Sequence, residues 1–442
     1  MTYNPPMTPC DLLIQCRWCI PVAPSGTVIE HAAIAVTGER IAGVGPRAEV
    51  EAGFSSETVV DLGRHAVIPG LVNAHGHAGM TLLRGAAEDL PLQEWLSEVI
   101  WPLEAANLSR EFVRDGTGLA LAEMLSMGIT TFSDMYYFPD EVARCASRAG
   151  MRAEVAFPVV DFPNIWSRSA DEALHKGMAL HDEYMSDSRI NMVFGPHAAY
   201  TVSRGALEKV AMYAEELNRP VQTHLHENAA EVAEARSRVG QSWIYYLHDL
   251  GLLSPALQAV HMTQLTGHEL DLVALHNVNV IHCPHSNLKL ASGICPVERL
   301  TEAGVNVALG TDGAASNNAL DLLAEARLAA LLAKQTGGDT TRADAPSMLH
   351  MATLGGARAL GLDEQTGSLE PGKLADIVAF DLGAPRFVPV RDPVATLIHS
   401  APAGAASHVW VGGRCLFDEG AYTTLDIGAI GARAERWRDI AH

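Results

Sequence analysis

Four short apolar runs of this chain are each followed by a histidine or an aspartate, and this recurrence constrains the fold more than any other feature. A short apolar run bounded by polar residues is typical of a buried strand. The strands of a parallel β/α barrel all end on one face, where the polar residues that follow them meet. The runs are residues 66–72 before His75 and His77, residues 220–223 before His224, residues 257–260 before His261, and residues 305–310 before Asp312.

The residue types at these four positions predict a metal site. In His75-Gly76-His77 the two rings stand at alternate positions, so on an extended chain they point to the same side. Imidazole nitrogens and a carboxylate oxygen are ligands that zinc prefers. A single His-x-His pair would be weak support in a chain with 19 histidines, so the prediction rests on the repeated context.

The spacing of the remaining strand-like runs predicts a (β/α)₈ barrel. Residues 130–134, 152–157, 191–195 and 278–282 give four more runs between helical segments, which brings the total to eight parallel strands. Runs that look like antiparallel strands occur at both ends of the chain. We therefore expect a TIM barrel over residues 66–367 and a composite β-sandwich domain built from residues 1–65 and 368–442.

Composition excludes several partners. The 31 basic and 52 acidic residues give a net charge of −21, which argues against nucleic acid and anionic membranes as partners. Residues 1–6 show no basic segment before an apolar one, so no signal peptide is expected. Cys16 and Cys19 form a Cys-x-x-Cys pair in an apolar run and are interpreted as buried thiols in a reducing, cytoplasmic protein. A homo-oligomer is compatible with the sequence.

Several motifs resemble those of the amidohydrolase superfamily. Residues 69–77 (PGLVNAHGH) are similar to its first-strand signature, and residues 367–376 (GSLEPGKLAD) to the segment that leads back into its β-sandwich. The similarity extends over roughly residues 11–417. Within the superfamily the chain most resembles the 5′-methylthioadenosine/S-adenosylhomocysteine deaminases, on residues 94–96, 101–104, 224–227 and 282–290. Guanine and triazine hydrolases share part of these motifs.

The resemblance implies one zinc ion per subunit, with His75, His77, His224 and Asp312 as its ligands. The loop after Phe194 offers Gly195-Pro196-His197 and no lysine of the kind that binuclear relatives carbamylate. Zinc would supply the nucleophile, because it lowers the pKa of bound water to about 7.

The resemblance also assigns catalytic roles. Deamination of adenine requires a proton at ring atom N1, and Glu227 resembles the glutamate that moves this proton. Asp312 would also accept the proton of the attacking water, and His261 would stabilise the developing charge. The alternatives are that Glu227 only begins a helix and that His261 is a core histidine.

Substrate contacts are implied for five residues. Glu104 resembles the carboxylate that binds both ribose hydroxyls, His197 would contact the purine or the sugar, and Trp95 would flank the 5′ thioether. Glu227 and Asp312 would contact the reacting base. Alternatively, Glu104 is a solvated acid at the start of a helix, and His197 is a loop residue that faces water. Trp95 could also simply pack on the apolar face of an amphipathic helix.

We therefore predict hydrolytic deamination of 5′-methylthioadenosine, a small-molecule nucleoside, with S-adenosylhomocysteine and adenosine as further candidates. A guanine or triazine hydrolase is the alternative enzyme, although Glu104 favours a nucleoside because a free base has no ribose. A non-catalytic assembly protein is a third interpretation.

One departure from the family pattern concerns specificity. Relatives that accept S-adenosylhomocysteine tend to carry an arginine at the end of the third strand, whereas this chain has Phe157 followed by Pro158. The sequence therefore predicts that Phe157 packs against a methylthio group, with Arg168 as a partial substitute for the missing arginine.

Overall fold

The computed structural model describes residues 7–400 and 406–441. The segment in which no signal peptide was expected, residues 1–6, lies outside the described residues, as do residues 401–405 and 442 of the predicted composite domain. The strands are β1 (Thr8–Pro9), β2 (Leu12–Cys19), β3 (Ile29–Thr37), β4 (Arg40–Pro46), β5 (Phe54–Ser55), β6 (Val59–Pro69), β7 (Leu71–Asn73), β8 (Ile129–Asp134), β9 (Arg152–Val159), β10 (Ile190–Pro196), β11 (Val221–Leu225), β12 (Leu257–His261), β13 (Asn279–His282), β14 (Val307–Leu309), β15 (Ile377–Asp381), β16 (Ala406–Val411), β17 (Arg414–Asp418) and β18 (Ala421–Tyr422).

Helices connect most of these strands. They are α1 (Arg47–Gly53), α2 (Leu92–Glu94), α3 (Trp101–Asn107), α4 (Arg110–Ser126), α5 (Pro139–Ala149), α6 (Ala170–Tyr184), α7 (Arg204–Leu217), α8 (Ala229–Val239), α9 (Trp243–Asp249), α10 (Gly267–Leu275), α11 (Pro284–Lys289), α12 (Val297–Glu302), α13 (Ala314–Asn317), α14 (Leu322–Gly337), α15 (Ala345–Met351), α16 (Leu354–Ala359), α17 (Pro393–Ser400) and α18 (Ile427–Glu435). A π-helical segment, Trp95–Ile100, joins α2 to α3, and 3-10 turns lie at Ala78–Leu83, Ala199–Thr201 and Arg438–Ala441. None of the helices in the described part of the chain is long and apolar enough to cross a membrane.

Strands β7 to β14 form one eight-stranded parallel sheet in chain order. The backbone N–H of Ala74, just after β7, donates to the carbonyl of Leu309 at the end of β14 at 2.9 Å, which brings the first strand to the last. The predicted (β/α)₈ barrel is therefore confirmed. Strands β11 and β12 pair in register from Val221 and Leu257 to Leu225 and His261, so their C-terminal ends lie level.

A second, mixed sheet has the order β18-β17-β16-β15-β6-β2-β3-β4. Its N-terminal and C-terminal parts join where β6 pairs antiparallel with β15. The predicted contribution of both chain ends to one additional sheet is confirmed. Cys16 and Cys19 lie buried in its core, and burial raises the pKa of the Cys16 thiol to about 12.

The prediction of a single barrel strand over residues 66–72 is wrong in its first half. Residues 66–69 end β6 in the mixed sheet, and only Leu71–Asn73 belong to the barrel. The chain changes sheets at Gly70, where an added Cβ would lie 2.0 Å from Oγ1 of Thr130. Both halves are buried and apolar, so hydrophobicity alone does not mark this change. The predicted domain boundary between residues 65 and 66 consequently falls inside β6.

A buried ion pair fixes the barrel to the mixed sheet. Arg152, at the start of β9, directs Nε to Oδ2 of Asp376 at 3.1 Å and Nη2 to Oδ1 at 3.3 Å. Both side chains are nearly inaccessible to solvent. The same Oδ1 also accepts the backbone N–H of Gly412 at 2.8 Å. Removing either partner would leave the other charge buried without compensation.

We expect Asp376→Ala to lower the free energy of unfolding by about 3–5 kcal/mol, because it leaves the buried Arg152 guanidinium without a counter-charge. Urea denaturation of the wild type and the variant measures this change. Glu208→Ala is the control, since it breaks the exposed Arg204–Glu208 pair and exposed pairs contribute little. Equal urea midpoints for Asp376→Ala and the wild type would contradict the proposed importance of the buried pair.

Candidate active site

Three histidines converge at the C-terminal end of the barrel strands. His75 and His77 follow β7, and His224 lies near the end of β11. Their potential ligand nitrogens all lie within 4.8 Å of one another. Burial lowers the pKa of His75 and of His224, which favours the neutral imidazole that binds metals. Burial also opposes protonation of His77, but its hydrogen bond to Asp312 raises the pKa of His77 to about 9, so a metal bound there would displace a proton from this ring.

The outer nitrogen of each ring faces an oxygen acceptor, which fixes the position of its proton. A neutral imidazole whose Nδ1 donates a hydrogen bond keeps a lone pair on Nε2. The acceptors for His75, His77 and His224 are, in turn, Oε1 of Gln222 at 2.7 Å, the Met135 carbonyl at 2.6 Å and the His197 carbonyl at 2.7 Å.

The three Nε2 atoms therefore face a common point. Nε2 of His75 and Nε2 of His224 are only 3.2 Å apart, although neither carries a proton in this arrangement. Two facing lone pairs repel each other unless a cation lies between them. This donor set fits a divalent metal such as zinc, for which second-sphere acceptors on the ligand imidazoles are typical.

Asp312 completes the cluster from the loop after β14. Its Oδ1 lies 3.1 Å from Nε2 of His77 and 3.5 Å from Nε2 of His75. Its Oδ2 accepts hydrogen bonds from Ser286 at 2.6 Å and Ser316 at 2.8 Å. Burial opposes ionisation of this carboxyl, but the adjacent imidazoles hold its pKa well below its usual range, so it is a carboxylate.

His261 differs from the three converging histidines because its Nδ1 accepts a hydrogen bond. Nδ2 of Asn287 donates to it at 2.9 Å, so the neutral ring carries its proton on Nε2. Burial lowers the pKa of His261 to about 4, which keeps the ring neutral. Its backbone φ of +80° is rare for a residue with a side chain and typical of functional positions. His261 thus presents an N–H donor to the site.

Glu227 lies across from His261, with Oε2 at 3.9 Å from its Nε2. Ser292 donates to Oε1 of Glu227 at 3.1 Å. The backbone N–H groups of His226 and Glu227 both donate to the carboxylate of Glu231, at 2.9 and 2.7 Å, which fixes the loop. Burial raises the pKa of Glu227 to about 7, the range in which a group both gives and takes protons at neutral pH.

A cleft lies over this cluster. His75 is fully buried beneath the cleft floor. The structure brings the other predicted site residues together in the lining, namely Trp95, Glu104, His197, Glu227, His261, His77, His224 and Asp312.

The predicted substrate residues form the outer part of the cleft. Glu104 of α3 accepts a hydrogen bond from the Tyr136 hydroxyl at 2.5 Å, and burial raises the pKa of its carboxyl. Trp95 is buried, and its indole N–H has no hydrogen-bond partner among the described residues. The same holds for Nδ1 of His197. The outer cleft therefore offers a ligand the carboxylate of Glu104 beside the side chains of Trp95 and His197.

The predictions for Phe157 and Arg168 are wrong. Phe157 packs against Phe194, with ring centroids 5.0 Å apart, and against Gly177 of α6, on the outer side of β9. Successive strand residues point to opposite faces, so the neighbouring Pro158 lines the cleft instead. The Arg168 side chain is 87% exposed, pairs with Glu172 and does not line the cleft.

Two further histidines lie near the site. Nδ1 of His285 forms an ion pair with Oε1 of Glu325 at 2.9 Å, and His285 does not line the cleft. His282 is buried, and neither ring nitrogen has a hydrogen-bond partner in the described parts of the chain.

Sequence reasoning missed Gln222, which accepts a hydrogen bond from His75, Gln258, which accepts one from Gln222, and Tyr136, which donates one to Glu104. The two glutamines carried a usable signal, because each is a polar residue inside an otherwise apolar strand run. Gln222 also stands two positions before His224, and so shares its face of β11.

Comparisons with known proteins agree with this arrangement. The amidohydrolase family model matches residues 66–416. A 5-methylthioadenosine/S-adenosylhomocysteine deaminase from Teredinibacter turnerae is 46% identical over 432 residues, covering 98% of each chain. A protein of the same name from Moorella thermoacetica is 42% identical and covers 95% of this chain and 97% of its own.

Solved structures show the same relationship. A zinc-bound adenosine deaminase from Xanthomonas campestris superposes with a TM-score of 0.97 at 45% identity, covering 99% of each chain. A zinc-bound atrazine chlorohydrolase from Arthrobacter aurescens has a TM-score of 0.89 at 24% identity, covering 97% of this chain and 100% of its own, and shares the fold. The family match over most of the chain, and the identity along its whole length, show that this chain belongs to the amidohydrolase family.

Proposed function

We propose that the protein is a zinc-dependent deaminase that converts 5′-methylthioadenosine and water to 5′-methylthioinosine and ammonia. The observation that carries the proposal is the convergence of three imidazole Nε2 atoms beside Asp312, His261 and Glu227 in one cleft. The names of the most similar relatives, which include methylthioadenosine and adenosine deaminases, agree with it.

The inner residues divide into ligands and proton-handling groups. His75, His77, His224 and Asp312 hold the metal. Zinc bound there supplies a hydroxide nucleophile near neutral pH by lowering the pKa of water. Glu227 transfers a proton to N1 of the purine, which its raised pKa of about 7 permits.

His261 stabilises charge and does not ligate. Its Nε2–H is fixed by the hydrogen bond from Asn287 and donates to the oxygen that develops negative charge at carbon 6. The two serine hydroxyls on Oδ2 of Asp312 and the Gly313 backbone N–H on Oδ1 hold that carboxylate, with Oδ1 toward His75 and His77, where it would join the metal ligands.

The outer residues select a nucleoside. A buried carboxylate such as Glu104 accepts hydrogen bonds from two adjacent ribose hydroxyls, and Tyr136 fixes its orientation. His197 and Trp95 provide polar atoms for the purine or sugar edge. A free guanine or a triazine has no hydroxyl pair to occupy Glu104, which disfavours those alternative activities.

The cleft continues into an apolar groove that would receive the 5′ substituent. Its walls include Leu96, Trp101, Val160, Phe162 and Ile165. Among the described residues that line the cleft and this groove there is no lysine or arginine. A methylthio group matches this surface, whereas the homocysteine carboxylate of S-adenosylhomocysteine would be desolvated there without a cation. We therefore keep the predicted preference for 5′-methylthioadenosine, but it now rests on the residues of this groove and not on Phe157 and Arg168.

Other aspects stay predictions. The net charge of −21 disfavours nucleic acid and anionic membranes as partners. The cytoplasmic location and the homo-oligomeric state rest on the sequence alone.

We expect purified protein to contain one divalent metal per chain, because its donor set offers three imidazoles and one carboxylate. Elemental analysis gives the stoichiometry. Dialysis against a chelator should abolish ammonia release, and added zinc should restore it. Full activity without any bound metal would contradict the assignment.

Glu227→Gln should retain zinc and lose at least about 100-fold in kcat, because the amide cannot transfer the proton. Ammonia release and elemental analysis on the same sample separate the two effects. Glu234→Gln, on the exposed side of α8, is the matched control and should leave kcat unchanged. Loss of metal as the only defect of Glu227→Gln would instead make Glu227 a ligand.

We expect kcat/KM for 5′-methylthioadenosine to exceed that for S-adenosylhomocysteine by about tenfold or more, the scale of one missing charge-assisted contact. Ile165→Arg places a cation in the groove and should move the ratio toward S-adenosylhomocysteine. Leu275→Arg, at an exposed position of α10 outside the groove, is the control and should leave the ratio of the two kcat/KM values unchanged. A wild-type enzyme that prefers S-adenosylhomocysteine would overturn this specificity.

A further inference from the structure

The barrel interior below the metal ligands is polar where such interiors are normally filled by branched apolar side chains. Ser133 of β8, Glu154 of β9, Gln222 of β11 and Gln258 of β12 are all at most 1% exposed. Burying polar groups costs free energy unless they are hydrogen-bonded, so a connected set at this place requires a reason.

These side chains form one chain of hydrogen bonds that begins at a proposed ligand. Nδ1 of His75 donates to Oε1 of Gln222 at 2.7 Å. Nε2 of Gln222 donates to Oε1 of Gln258 at 2.7 Å, and Nε2 of Gln258 donates to Oε2 of Glu154 at 3.2 Å. Ser133 closes the end of the chain with a 3.0 Å bond to Oε1 of Glu154.

His75 is held differently from the other two histidines of the cluster. Nδ1 of His77 and of His224 donates to a backbone carbonyl, which is an acceptor and nothing else. Nδ1 of His75 faces a side-chain amide, which can present either its oxygen or its NH₂ group. If the amide of Gln222 were reversed, NH₂ would face Nδ1, the ring proton would move to Nε2, and His75 could not ligate a metal.

Two acceptors give the chain its direction. Nε2 of Gln258 donates to Oε2 of Glu154 at 3.2 Å and to the Ala359 carbonyl at 2.9 Å, and both bonds turn Oε1 of Gln258 toward the NH₂ group of Gln222. Burial raises the pKa of Glu154 to about 8. A proton added on Oε1, toward Ser133, leaves Oε2 as the acceptor, so both states orient Gln258 alike. The Ala74 carbonyl and the Ser133 hydroxyl accept further bonds from Nε2 of Gln222, which reinforces the same orientation.

We propose that Gln222 is the positioning residue that keeps His75 in its metal-binding tautomer, and that Glu154, acting through Gln258 together with the Ala359 carbonyl, orients Gln222. The inference rests on the proposed ligand role of His75. If the network only filled the core, its substitutions would lower folding stability but leave zinc affinity unchanged. Zinc affinity, which is measured without substrate, therefore distinguishes a positioning role from a purely structural one.

The test is zinc affinity, measured by competition with a chromophoric chelator in the absence of nucleoside. Gln222→Met should weaken zinc binding by about 10–100-fold, the usual effect of removing the acceptor behind a ligand histidine. Glu154→Met should weaken it by about tenfold through misorientation of Gln222. Glu154→Gln should bind zinc as the wild type does, because its Oε1 can occupy the place of the lost Oε2.

A double-mutant cycle separates action through Gln222 from an independent effect. Adding Glu154→Met to Gln222→Met should weaken zinc binding no further. If Glu154 acts only through Gln222, its substitution has no effect on zinc affinity once Gln222 has been replaced. The visible spectrum of the cobalt-substituted protein should change in Gln222→Met and Glu154→Met but not in Glu154→Gln. Asn279→Leu, which removes a buried polar side chain at the far end of β13, is the control for lost stability and should keep wild-type zinc affinity.

Wild-type zinc affinity in Glu154→Met, or additive losses in the double variant, would overturn the inference. If Glu154→Met does not fold, Gln258→Leu interrupts the same chain at its middle and decides the question in the same way. A wild-type protein that binds no zinc would instead refute the proposed function, so the two failures are distinguishable.

Discussion

The hydrogen bonds donated by three Nδ1 atoms govern the chemistry of this barrel, because they turn three Nε2 atoms toward each other at one point. Without those acceptors, each neutral ring could place its proton on Nε2 and the cluster would relax into ordinary hydrogen bonds. Two of the acceptors, the carbonyls of Met135 and His197, are part of the backbone at strand ends. The architecture of the barrel thus predisposes the site to bind a cation before any cation is present.

The same principle separates the roles of four buried histidines. His261 has a donor behind it, Asn287, and so directs an N–H into the cleft where His75, His77 and His224 direct lone pairs. Residue type alone does not distinguish a metal ligand from a charge-stabilising group here, because all four residues are histidines. The hydrogen-bond partner of Nδ1 distinguishes them, since it is an acceptor behind the three proposed ligands and a donor behind His261.

Function also accounts for the unfavourable features of the core. Polar side chains occupy the barrel interior, His261 and Asp312 adopt positive φ, and the carboxyl of Glu154 is buried, as that of Glu227 is for the most part. Each feature costs stability, and all three lie in or directly below the cluster. The compensating packing is elsewhere, in the apolar layer between strands and helices and in the joint that Arg152 and Asp376 make with the mixed sheet.

The sequence by itself determined the fold class and brought the ligand candidates together. Apolar strands that end in His75, His77, His224, His261 and Asp312 can satisfy both burial and polarity only where parallel strands open onto one face. Glu227 and Glu104 followed from motif resemblance, and both line the cleft. Local pattern was sufficient for these residues because each chemical group sits at a position that its own strand or helix defines.

Only the tertiary structure decided which face a strand residue takes and what stands behind each ring. Phe157 and Pro158 are neighbours, yet a shift of one position sends the phenylalanine to α6 and the proline to the cleft. The change of sheet at Gly70 depends on the approach of Thr130 from another strand. Gln222, Gln258 and Glu154 meet across three strands that are distant in sequence. Hydrophobic periodicity reports whether a side chain is buried, whereas its partner is set by the register and curvature of the closed barrel, which no local segment encodes.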